Sequence, residues 1–376
     1  MREGGGIGRW IDRRTLLRLG ALAAGDYLSA LPPPSEQPVG KAVVLITIGG
    51  IRREESFSLE GTANIPHLFR DLVPQALFYP YVLNEGVTSH VNTISSIVTG
   101  RWQQLDDWGR NAPREPTLFR YLQEQRGLAA ADTWIVTSNK AVTKNIGPGA
   151  NVILAKQLMI EAVERIILGQ TSRRLLTRGA IHEEMKSILL REYERIGWSV
   201  PSMTPLIESA LLAGMSDYFE SPEGPVGGDE LTFVIAREVL RKLSPALLMI
   251  NFSGVEVAHS GTYSLHVAGI RSSDALCHQM WRYLQSEPRY RDRVTMIVMP
   301  EFGRDPDGST TNGFFNHRTD TNTCRLTWMM VLGAAVREPR VEERVIRQID
   351  LAPSVGALLE VECTKSDGRR LDEFAL

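Results

Sequence analysis

A chain of 376 residues with 43% hydrophobic content is long enough for one large domain with an insertion or two moderate ones, and it can bury a sizeable core. Its formal net charge of −2 gives no electrostatic footprint for nucleic acid or an anionic membrane surface. Three cysteines, Cys277, Cys324 and Cys363, are too few and too far apart for a disulfide framework or a thiolate zinc site, and leave at most one disulfide open for an exported protein.

The first 40 residues read as a leader and linker. "DRRTLLRLGALAAG" sets Arg13 and Arg14 before an apolar segment in the manner of a twin-arginine signal, and "LPPPSEQP" follows as an extended linker. The expectation is export to the periplasm or another extracytoplasmic space, without a membrane span, since spanning takes about 20 apolar residues and Asp26 interrupts this run. The alternative is an amphipathic amino-terminal helix with an accidental arginine pair.

From residue 41 onward, short apolar runs alternate with helical patterns. "AVVLITI" (42–48), "TWIVTS" (133–138), "ALLMINF" (246–252), "VTMIVM" (294–299) and "TWMMVLG" (327–333) predict buried strands. "EPTLFRYLQEQRG" and "SLHVAGIRSSDALCHQMWRYLQSE" carry apolar residues at helical spacing. "IPHLF" places His67 on an amphipathic helix, where packing is its ordinary role. The alternation predicts an α/β fold, a mostly parallel sheet flanked by helices, with binding groups in the loops beyond the strands' carboxyl ends. Residues 150–243 interrupt it with four helical stretches and predict a helical cap inserted into a 41–376 domain.

Three strand ends deliver polar loops to one edge: "GGIRREESF", "SGVEVAHSGTY" and "PEFGRDPDGSTTNGFFNH". "NEGVTSHVNTISSIVTG" adds His90 next to Ser89 at a helix start, a position that favours an anion. The order and wording of these segments, with "NIPHLFRDL" and "RQIDLAPSVGALLEV", resemble the alkaline phosphatase superfamily, which includes sulfatases and phosphodiesterases. The resemblance implies its fold and two divalent metals flanking a Ser or Thr nucleophile. Glu256, His259 and His317 fall where the Asp, His and His set of one metal lies. In the other set, Gly49 stands at the first Asp, His90 at the nucleophilic hydroxyl, and Glu301 and Phe302 replace an Asp-His pair. The pattern also resembles a divergent, exported branch of the superfamily with a "GG" turn, a histidine in the nucleophile region and "EFGR".

The surviving set suits a divalent ion, zinc first with manganese or iron compatible, and one ion rather than two. His90, Ser89 and Glu301 are the candidate catalytic groups: His90 as second ligand, base or covalent acceptor, and Ser89 or Thr88 as nucleophile if the register shifts. Arg52 and Arg304 are candidates for an anionic substrate group, and Gly49 and Gly50 form a tight turn in either reading. Each residue also has an ordinary role: loop histidines satisfied locally, Glu301 paired with Arg304, and Asp305 and Asp307 in a turn. Two functions follow. One is a metal-dependent hydrolase of phosphate or sulfate esters, acting on a small anionic ester or glycan-type substrate; the other is a catalytically silent binding or scaffold protein on the same fold.

Overall fold

The computed structural model describes residues 41–106, 111–128, 132–139, 150–154, 228–308 and 313–375. The leader expected over 1–40 lies outside the described residues. Strands are β1 (Ala42–Ile48), β2 (Leu77–Leu83), β3 (Thr133–Thr137), β4 (Asn151–Leu154), β5 (Leu247–Phe252), β6 (Val294–Pro300), β7 (Leu326–Gly333), β8 (Arg340–Val341) and β9 (Ile346–Arg347). They form one sheet in the order β4-β3-β5-β1-β6-β7-β2-β8, with β9 also on β2. β1 is flanked in parallel by β5 and β6, and β7 runs antiparallel to both β6 and β2. This is a mixed, mostly parallel α/β sheet.

Central strands are apolar on both faces because helices cover both faces. On one side Val44, Ile46, Ile250 and Val298 pack with α3 (Gly228–Leu243) and α4 (Tyr263–Ser286), through residues such as Ile235, Val239, Ile270 and Met280. On the other, Val43, Leu45, Met249 and Ile297 meet α1 (His90–Thr99), α2 (Leu118–Arg126) and α5 (Leu351–Leu358) through Ile94, Phe119 and Val355. Each fully buried aliphatic side chain in these layers contributes about 1.5–3 kcal/mol relative to exposure, so the sheet is a rigid base for the loops at its end.

Both flanks of the expected 150–243 cap belong to this body. Asn151–Leu154 pairs with β3, and Gly228–Leu243 is α3 on the sheet. Residues 155–227 lie outside the described residues. β2 and β4 are strands that the apolar runs did not predict; the pairing of β2 with β7 shifts register between Tyr79 and Val82, around Pro80. Cys277, Cys324 and Cys363 are all free thiols on separate elements, so the single disulfide left open by the sequence does not form. No helix among the described residues is long and apolar enough to cross a membrane.

Candidate metal centre

The centre forms where β1, β5 and β6 end side by side. After β5 the chain winds through a 3₁₀ segment, Gly254–Ser260, in which three residues make one turn and positions i and i+3 eclipse. Glu256 and His259 therefore project from the same side. His90 is the first residue of α1, fixed by Ser89 as N-cap, and His317 arrives from the loop after β6.

Glu256 links these parts. Its Oε1 accepts the Gly50 N–H at 2.7 Å and pairs with Arg304 Nη2 at 2.8 Å. Its Oε2 is buried and accepts no well-aligned hydrogen bond, yet His90 Nε2 lies 3.2 Å away and His259 Nε2 3.1 Å away. His317 completes the group: one donor atom each from His90, Glu256, His259 and His317 lies within 4.8 Å of all the others.

The outer hydrogen bonds set which nitrogen faces inward. His90 Nδ1 is 2.6 Å from Glu301 Oε2, leaving Nε2 for the centre. His317 Nδ1 lies 2.6 Å from the Thr88 carbonyl, where it donates, leaving its Nε2 as a free acceptor. Phe302 stacks on the His317 ring at 4.2 Å between centroids. Orienting an imidazole through its second nitrogen is the usual support of a metal-ligating histidine.

Glu301 is fully buried and is itself held in place: Asn251 Nδ2 donates to its Oε1 at 2.7 Å. Asn251 also donates to Thr47 Oγ1 and accepts from Thr137 Oγ1. Thr137, Asn251, Thr47 and Glu301 thus form a polar row across β3, β5, β1 and the end of β6. The sequence hides this row because each member sits inside or beside an apolar run and has no neighbour in the chain that reveals its partner.

Electrostatics follow from burial and pairing. Burial disfavours an imidazolium at His90, but the Glu256 and Glu301 carboxylates outweigh it and hold its pKa up at about 10. Burial pushes His317 the other way, down to about 4, the neutral form that a metal takes. Burial also pushes the Glu301 carboxyl up. At Glu256 burial opposes ionisation, yet Arg304 and His90 keep the carboxyl well below its usual range. Two buried carboxylates thus demand positive charge between them, which a proton on His90 or a cation can supply.

The donor set fits a divalent ion. Two ligands bound to one zinc in tetrahedral geometry stand ~3.4 Å apart, close to the separations of both imidazole nitrogens from Glu256 Oε2. A chemically mixed set of three imidazoles and one carboxylate favours zinc among the common ions.

The remaining candidates are engaged elsewhere. Thr88 Oγ1 donates to the His317 carbonyl at 2.5 Å, and Ser89 Oγ accepts from the Asn92 backbone N–H at 3.4 Å, as a helix cap does, and from the Asn92 side-chain amide at 2.8 Å. Arg52 is buried against Glu55 and Asp307, and Arg304 is directed onto Glu256 and the Gly50 carbonyl, not onto Glu301. Asp305 is buried and accepts from the Arg318 and Thr319 amides, tying the far end of the loop after β6 to its start, a structural role but not the local turn the sequence suggested. Gly49 is required by close approach: a Cβ there would collide with Glu256 Oε1. Gly50 has Phe302 at its back.

A cleft of about 650 Å³ opens beside His317, lined among others by Val87, Thr88, Ser89, Trp102, Arg318 and Arg325. Arg325 is tied to Asp320. The Arg318 guanidinium is exposed and has no ion-pair partner among the described residues. Neither Arg318 nor Trp102 stood out in the sequence, since a lone cation and a lone aromatic in loops carry no signal without the cleft.

No known sequence family and no curated protein matches this chain. Solved structures do. A protein of the alkaline phosphatase superfamily from Vibrio parahaemolyticus aligns over 96% of this chain and 78% of its own, with a TM-score of 0.52 and 16% identity. Wild-type alkaline phosphatase PafA aligns over 92% of this chain and 99% of its own, with a TM-score of 0.56 and 10% identity. At such identities what is shared is the fold, and this chain has the alkaline-phosphatase-like fold.

Proposed function

We propose that the protein is a metal-dependent hydrolase of phosphate or sulfate esters, working from one divalent ion held by His90, Glu256, His259 and His317. The observation that carries this reading is the gathering of three imidazoles and the buried Glu256 carboxylate, with His90 and His259 both against Oε2, next to an open cleft. Alkaline phosphatase chemistry belongs to PafA by name; here it enters through the shared fold and the donor set. Zinc suits the donors best, with manganese or iron compatible.

A bound ion supplies Lewis acidity toward the ester and lowers the pKa of a water. The chain's own groups do the rest. Glu301 and the Thr88 carbonyl orient His90 and His317. Arg318 meets the anionic head of the substrate, and the cleft wall at Trp102 takes its alcohol or glycan part. Thr88 gives its proton to the His317 carbonyl and Ser89 serves as the helix-cap acceptor, roles that favour attack by water over attack by a side-chain hydroxyl.

One observation favours a second reading. Four protein donors already complete a tetrahedral set, as in structural zinc sites, which fits a catalytically silent binding protein. Metal content and turnover of an aryl phosphate and an aryl sulfate separate the two. The hydrolase reading expects turnover and one ion at this centre, with turnover and that equivalent lost in His317→Ala, turnover alone reduced in Arg318→Ala, and neither changed in Asp307→Ala. Absence of turnover in the wild type supports the silent reading, with or without an ion; equal metal in the wild type and His317→Ala overturns the hydrolase reading.

A further inference from the structure

A second group of metal-competent side chains lies apart from this centre. His67 and Asp71 sit one turn apart on the segment before β2, and His278 faces them from α4. His67 Nδ1 is 2.8 Å from Asp71 Oδ2, and His278 Nε2 is 3.8 Å from the same oxygen. The two imidazoles stack, 4.4 Å between centroids and 11° from parallel. These separations bracket the ~3.4 Å between neighbouring ligands on a tetrahedral zinc. All three side chains are partly exposed, so a cation reaches them from solvent.

The trio is held between two fixed ties. One turn before His278 on α4, Asp274 accepts the His67 amide at 3.2 Å and the Leu68 amide at 2.7 Å, anchoring the start of the facing segment. Just after His278, Trp281 Nε1 donates to Gln75 Oε1 at 3.0 Å, and Gln75 Nε2 donates to the Asp71 carbonyl at 2.7 Å. Asp274, His278 and Trp281 recur at i, i+4 and i+7 and share one face of α4. Between His67 and these lower ties the backbone winds as a π-helix, Leu68–Leu72, a widening often found at functional positions. Both sides of the trio are thus preorganised, and the ordering cost of bringing its ligands together is met by the fold.

We propose that His67, Asp71 and His278 form a second, zinc-type site on the surface, with two imidazoles, one carboxylate and at least one position open to water or to a fourth ligand. Such a mixed nitrogen and oxygen set selects borderline divalent ions over magnesium or calcium. Bound zinc joins α4 to the segment before β2 and stabilises the folded chain by mass action.

Equilibrium dialysis of the full chain against zinc at neutral pH tests this. The wild type is expected to bind one equivalent more than His278→Ala, and added zinc is expected to raise the unfolding midpoint of the wild type but not of the variant. Asp71→Asn, an exposed and nearly isosteric change, provides the same comparison if His278→Ala folds poorly. Aryl-ester turnover is expected to be equal in wild type and both variants, which separates this site from the centre at His317. Equal zinc stoichiometry in wild type and Asp71→Asn, or an equal zinc-induced shift in midpoint, overturns the proposal.

Discussion

Glu256 divides its two oxygens between scaffold and centre. Oε1 is fixed by Gly50 and Arg304, so Oε2 has little freedom to leave the histidines. The space for this carboxylate exists because residue 49 has no side chain. Gly49→Ala is therefore expected to displace Glu256, lowering metal occupancy of this centre at least tenfold while costing about 1–3 kcal/mol in stability, as overpacking does; metal analysis after gel filtration in an Asp71→Asn background, with a denaturant titration, measures both. An unchanged ion content would show that the carboxylate does not hold the centre together. Glu256, His259 and His317 were legible as ligand types in the sequence. The partner of Arg304 was not: chain proximity points to Glu301, while the fold delivers Glu256 from the end of a neighbouring strand. Side-chain partnerships of that kind depend on strand order, which local pattern does not encode.

At the scale of elements, α1 is capped by Ser89 and α4 begins beside the centre. Ser89 accepts from Asn92 as an N-cap, so Ser89→Ala is expected to cost about 0.5–2 kcal/mol of stability and to leave ester turnover in place; loss of turnover with stability unchanged would restore Ser89 as the nucleophile. In the first turn of α4, His266 is buried with Nδ1 at 2.9 Å from the Val255 carbonyl and Nε2 unsatisfied. Burial, with Arg304 nearby, pushes its pKa down from 6.5 to about 4. The folded state thus resists protonation more than the unfolded state does. Stability is full above about pH 6.5 and falls as pH drops toward 4, by about 3 kcal/mol once both states are protonated. His266→Leu is expected to flatten that part of the pH–stability curve, read by denaturant midpoints between pH 7 and pH 4; an unchanged slope would assign the acid sensitivity to other groups. Among the strands, those in continuous apolar runs were legible, whereas β2 was hidden by Pro80, which reads as a strand breaker and here sits at a register shift. β4 is only four residues long and, among the described residues, pairs on one side, too little pattern to separate it from the helical stretches that follow in the sequence.

For the whole molecule, export remains an expectation carried by Arg13 and Arg14. Replacing both with lysine keeps the charge and removes the guanidinium geometry; the variant is expected to accumulate in the cytoplasmic fraction, and an unaltered distribution would remove the export reading.

The placement of β1 between β5 and β6 has a consequence for the order of events during synthesis. Gly50 and Glu256, which touch, are 206 residues apart in the chain, and His317 follows later still. A nascent chain that has emerged through His90 carries one of the four donors, and one that has emerged through His259 carries three, but β6 and its loop must still add beside β1 before the fourth arrives. Pairings between such distant segments close slowly. Capture of the ion at full strength therefore marks the finished sheet: a chain truncated before β6 lacks the centre however well its earlier strands have formed.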